Sequence, residues 1–201
     1  MDALFDSIVA LVSMGAGLAT LSGLRAFLPL GFVGLVTHYD LFAAFDLRGT
    51  PFSVLENPWV VSILLILAVL EIATDKVPLI DTVQDVVATP LRIVAGAIIF
   101  GAALAQQDAV VLAAGVVAGG ALAGTTHAAK GALRPSATVV TGGAANPFIS
   151  FFEDVVAGLG SLLLILLPVL GILLVLFVVY FIYRVRKRRR RKYKGLRILK
   201  E

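Results

Sequence analysis

No cysteine occurs among the 201 residues, and only 15% of them are charged. The first absence excludes a disulfide-stapled scaffold and any thiolate metal site. The second excludes the surface of an ordinary soluble domain, where about a quarter of the residues carry charge. Histidine occurs twice and tryptophan once, and no His-x-x-x-His pair or comparable ligand spacing is present. A Gly-x-Ser-x-Gly nucleophile turn is missing. So is a phosphate-cradling lysine and serine after Gly142-Gly143. No cofactor is implied, and the type of any metal stays unknown. His127, Glu71 and Asp75 offer acid–base groups, but an enzyme reading lacks a nucleophile to go with them.

What the chain has in quantity is hydrocarbon. Fifty-nine per cent of it falls in the hydrophobic class, with 19 glycines besides. A soluble fold of this length leaves roughly 30% of its surface exposed and cannot hide so much. The class that remains is an all-α, polytopic transmembrane helical bundle.

Charge is unevenly spread. Residues 1–183 hold six cations and twelve acids, a balance of −6, whereas 184–201 hold eleven cations and one acid, a balance of +10. The chain therefore divides into a transmembrane helical domain, 1–183, and a polybasic cytoplasmic tail, 184–201. Arg184, Arg186, Lys187, Arg188, Arg189, Arg190, Arg191, Lys192 and Lys194 crowd the start of that tail. A cluster of this kind binds anionic lipid headgroups. The basic pI describes this segment alone, so nucleic acid is disfavoured as a partner of the body. The opening Met1-Asp2-Ala3-Leu4-Phe5-Asp6 is acidic where a secretory signal needs cations, so the first apolar segment is expected to stay in place.

A bilayer crossing needs about 20 mostly apolar residues. Five blocks meet or approach that: 7–37, 57–74, 86–106, 109–129 and 155–183. The first and last are too long for one helix. Gly23 and Pro29 can break the first near 22, and Pro168 and Gly171 can break the last into a hairpin, about 147–166 and 169–186. About six crossings are expected, with 24–37 free to span, re-enter or lie at the interface. By the positive-inside rule the tail is cytoplasmic, and six crossings bring the N-terminus to the same side.

In that topology the sparse ionisable groups gather at the inner side. Glu71 and Asp75 stand four apart on one helix face, as do Asp81 and Asp85 on the next. Asn146-Pro147 leads to Glu153 and Asp154. Adjacent carboxylates in or near hydrocarbon must be paired, hydrated or protonated. These six acids are the candidates for binding a cation or proton. Arg25, Lys76, Arg92, His127, Lys130 and Arg134 are the candidates for balancing them. A quieter reading serves several: Asp81 to Gln84 and Ser150 to Glu153 each fit a helix capping box. Gly115, Gly119, Gly120 and Gly124 form two small-x-x-x-small frames, suited to close helix packing inside the subunit or between copies.

The order and spacing of these motifs resemble a known family. Gly23-Leu24-Arg25-Ala26-Phe27-Leu28-Pro29, Glu71 through Asp75-Lys76-Val77-Pro78 to Asp81, His127 through Lys130 to Arg134, and Asn146-Pro147 through Glu153-Asp154 resemble the bacterial membrane-protein family called domain of unknown function 4126. The likeness covers roughly residues 15–185 and implies a multi-pass protein of the bacterial inner membrane. It implies no activity. Glu71 to Lys76 is also similar to the Glu-x-Gly-Asp-Lys motif of a cation-exchanger family, with one residue inserted and Thr74 in place of the glycine. Two functions follow as expectations. One is a small transporter or channel-like protein for a cation or a proton-coupled solute. The other is a non-catalytic scaffold or accessory subunit that packs with a partner membrane protein, or with copies of itself, and with anionic lipid.

Overall fold

A computed structural model describes the backbone of residues 7–41, 46–75, 78–141 and 146–198, and the side chains of these except 78–87, 133–141, 146 and 189–198. Among the described residues the fold is all-helical. Seven α-helices follow in order: α1 Ile8–Ser22, α2 Phe27–His38, α3 Pro58–Thr74, α4 Pro78–Ala103, α5 Ala109–Thr141, α6 Asn146–Leu166 and α7 Leu170–Ile198, with a 3-10 turn at Pro51–Glu56 before α3. Two stretches, Ala109–Ala132 and Pro147–Leu166, are long and apolar enough to cross a bilayer, and four shorter apolar helices accompany them.

Local chemistry sets most boundaries. Ser7 opens α1 by accepting the Ala10 N–H, and Asn57 opens α3 by accepting the Trp59 N–H at 2.9 Å with Pro58 in the first turn. Asp108 opens α5 by accepting the N–H groups of Val110 and Val111. Both long end blocks break where glycine and proline predict. α1 stops before Gly23, and α6 and α7 meet at Leu167-Pro168-Val169.

Breaking both end blocks brings the number of α-helices among the described residues to seven. α1 is the central helix and packs against α4, α5, α6 and α7. Ser22 of α1 meets the Arg92 carbonyl of α4, while Gly15 faces Phe100 and Ala103, so these two helices run antiparallel. Ser13 bonds to Pro168 and Ile172 where α6 gives way to α7. Successive helices alternate in direction. α1 therefore begins at one end of the bundle, and α7 runs toward the other. α2 is a packed member of the bundle, lying against α3 and α6. α7 continues through residues 183 and 184 without interruption, so the basic tail begins as an extension of that helix.

The core mixes tightly packed hydrocarbon with ions. Met14, Leu18, Val33, Leu47, Ile99 and Ile165 are fully buried, and so are Arg25 and Arg92. The exterior is the reverse, for Trp59, Val110 and Phe148 are each 78% exposed.

Candidate functional site: a buried charge layer

The expected charge clusters meet at one end of the bundle, where α1, α3 and α5 finish and α2, α4 and α6 start. Arg25 sits in the turn between α1 and α2, with its side chain wholly buried. One of its terminal nitrogens, Nη2, lies 2.6 Å from Asp75 Oδ2 of α3 and 2.6 Å from Asp154 Oδ1 of α6. Ser150, one turn earlier on α6, donates its hydroxyl to the same Asp75 oxygen at 2.7 Å. Arginine suits this position because its guanidinium presents fixed, permanently charged donors and is more weakly hydrated than an ammonium.

Glu71, one turn before Asp75, does a different task. Its two carboxylate oxygens accept the backbone N–H groups of Ala26 at 3.1 Å and Phe27 at 3.2 Å. Those donors belong to the start of α2, where the N-cap residue Ala26 supplies no side-chain acceptor. Glu71 thus caps another helix from α3, and its negative charge faces the positive end of that helix dipole. Arg92 of α4 approaches from the other side, 3.4 Å from Glu71 Oε1.

Arg92 also fixes a histidine. Its Nη1 stands 2.5 Å from His127 Nδ1, and His127 Nε2 stands 2.8 Å from Thr89 Oγ1. An arginine nitrogen only donates, so Nδ1 must accept and the imidazole proton resides on Nε2, donated toward Thr89. Lys130, one turn further along α5, pairs with Glu153 of α6 at 2.7 Å. Together these contacts join the α1–α2 turn and helices α3, α4, α5 and α6.

Of the twelve expected charge positions, the structure therefore gathers Glu71, Asp75, Glu153 and Asp154 with Arg25, Arg92, His127 and Lys130. Lys76 lies outside the described residues, and the side chains of Asp81, Asp85 and Arg134 lie outside the described side chains. The same holds for Arg189, Arg190, Arg191, Lys192 and Lys194 in the tail. Arg184, Arg186, Lys187 and Arg188 are exposed on α7. Among the described residues, no group of three or more His, Cys, Asp or Glu side chains is arranged to hold a metal ion.

Three participants went unread in the sequence. Ser150 fits a capping box, but α6 starts earlier, at Asn146, and the Ser150 hydroxyl donates to Asp75. Thr89 gave no signal beyond its place one turn before Arg92. The cap on α2 had a readable sign, the absence of Ser, Thr, Asp or Asn before Phe27. At the opposite end of the bundle, Gln106 donates to the carbonyls of Asp46 and Arg48, and the exposed Arg48–Asp40 pair spans 2.9 Å.

The glycine frames of α5 face α4. A Cβ on Gly119 would collide with the Gly96 carbonyl, and one on Gly115 would lie 2.7 Å from Leu104. The second frame is looser, with Ile93 3.3 Å from the Cβ positions of both Gly120 and Gly124. These four glycines therefore let two helices of one subunit approach closely.

No curated protein and no solved structure matches this chain. The sequence profile of one family, described as domain of unknown function (DUF4126), matches residues 12–188, and the chain belongs to that family.

Proposed function

We propose that this chain is a multi-pass protein of the bacterial inner membrane with a scaffold or accessory role. Its charge layer is a closed lock between helices, not a path for solute. The observation that carries this reading is Arg25, fully buried and held by two carboxylates from different helices. A permanently charged group placed this deeply, with its acids at contact distance, fixes helices against one another. The apolar exterior and the two long apolar helices support the membrane setting. Under the positive-inside rule the basic end of α7 is cytoplasmic. Seven alternating passes then leave the start of α1 on the outer side.

One observation favours the transport reading as the runner-up. Among the described side chains of the layer, four carboxylates (Glu71, Asp75, Glu153, Asp154) face two permanent cations (Arg25, Arg92) and one lysine (Lys130). An excess acid of this kind is what a proton or metal cation would neutralise.

Reconstitution into vesicles separates the two. The purified protein is expected to give no proton or monovalent-cation flux above protein-free vesicles. Flux that disappears in a folded Glu71→Gln variant would reverse the choice in favour of transport.

A further inference from the structure

A groove of about 720 Å³ runs along the outside of α5, walled on one side by α4 and on the other by the second half of α7. Its extent on α5, from Val116 to Ala132, is about 24 Å by helical rise. Its floor is made of small residues, Gly120, Gly124 and Ala128, and its walls of Ile93 and Phe181. Arg186 stands at one end, the end that also carries the charge layer. Among the described residues no carboxylate pairs with Arg186, and its neighbours Arg184, Lys187 and Arg188 are exposed beside it.

From this we infer that the groove is a binding site for one anionic phospholipid, with an acyl chain lying on Gly120, Gly124 and Ala128 and the phosphate meeting Arg186. The inference rests on the membrane reading above. Volume, shape and charge agree on this occupant. The space falls within the range of about 300–1,000 Å³ typical of small-molecule sites. It is apolar along its length and cationic at one mouth, as a lipid is apolar along its tail and anionic at its head. Depth also fits, because the cationic mouth lies at the bundle end where a cytoplasmic headgroup layer would stand, and the apolar length extends from there toward the middle of the bilayer. A second copy of this chain fits less well. Two copies in one bilayer share an orientation, so a symmetric contact through this groove would bring two clusters of arginine together.

The test is photo-crosslinking in vesicles with phosphatidylglycerol and phosphatidylcholine carrying the same diazirine acyl chain, mapped by peptide mass spectrometry. Phosphatidylglycerol is expected to label residues 116–132 of α5 and the facing part of α7 in preference to phosphatidylcholine. Ala128→Trp, an exposed position in the groove, is expected to abolish that labelling with no change in Tm. Arg186→Gln should reduce it about fivefold. Equal labelling by both lipids all around the apolar belt, unmoved by Ala128→Trp, would overturn the site while leaving the membrane reading intact. Absence of labelling anywhere on the protein would overturn both. A copy-to-copy crosslink between α5 and α7 in place of lipid labelling would give the groove to a dimer and equally end the proposal.

Discussion

Glu71 and Ala26, 45 residues apart in sequence, are joined by a hydrogen bond of 3.1 Å from the alanine N–H to the carboxylate. The acid supplies what the alanine lacks. A helix that starts on alanine leaves its first N–H groups without an acceptor, and inside a bundle no water compensates them. Replacing Glu71 with Ala is expected to destabilise the protein by about 1–3 kcal/mol, the cost of leaving such buried groups unsatisfied. Hydrogen exchange should locate the damage, with amides at the start of α2 losing protection first. Protection lost evenly across the bundle would contradict the capping role.

Arg25 should be less forgiving. Its loss leaves Asp75 and Asp154 buried without their cation, and breaking a buried pair from one side costs about 3–5 kcal/mol. Arg25→Gln is expected to lower the Tm in detergent sharply. Arg25→Lys is expected to recover only part, because a single ammonium on a flexible stem replaces a planar fork of donors. A Tm for Arg25→Gln equal to that of the unaltered protein would remove the lock from the argument.

His127 offers a spectroscopic check. With Arg92 donating to Nδ1, nitrogen-15 NMR of the side chain is expected to show the tautomer protonated at Nε2. Thr89→Val removes the partner of that proton and should cost about 0.5–1.5 kcal/mol. Finding the proton on Nδ1 would mean that Arg92 does not engage the ring.

The helix alternation can be tested directly, since the chain has no cysteine of its own to confuse labelling. Single cysteines at Ile8, Arg48 and Lys187 occupy exposed positions. Ile8→Cys and Arg48→Cys should react with an impermeant maleimide from one side of the membrane, and Lys187→Cys from the other. Labelling of Ile8→Cys from the Lys187 side would restore the even number of passes.

The α4–α5 contact supplies a fifth class of variant. Gly119→Leu puts a side chain against the Gly96 backbone and should prevent these helices from closing, with loss of folded yield. Gly131→Leu, where a Cβ meets nothing within 4 Å, serves as the control and should fold normally.

Much of this architecture was legible in the sequence, and the reason differs from part to part. The helix breaks at Gly23 and Pro168 were readable because proline and glycine act on the backbone locally. The gathering of Glu71, Asp75, Arg92, His127, Lys130, Glu153 and Asp154 at one end was readable because hydrophobic run lengths set the depth of each charge. The pairing was not. Arg25 meets Asp154 across 129 positions, and nothing in either neighbourhood says which cation takes which acid. Whether 24–37 forms a full pass was also hidden, since a 12-residue helix falls short of the about 20 residues a crossing needs. That one undecided segment controls whether the count of passes is even or odd. The tie between Ser13 and the Pro168 carbonyl had no sequence sign, because a lone serine in an apolar helix can equally satisfy itself on its own backbone.

The central place of α1 bears on how the molecule is assembled. Chains are made from the N-terminus, at about 5–20 residues per second, so α1 is synthesised before α2 to α7. The Pro168 carbonyl that receives its Ser13 hydroxyl comes 155 residues later. α1 must therefore wait beside the growing protein until the α6–α7 junction is made before this contact can form. Chains cut short before α6 would leave that first helix without its last neighbours, a natural handle for the quality-control proteases that clear unfinished proteins.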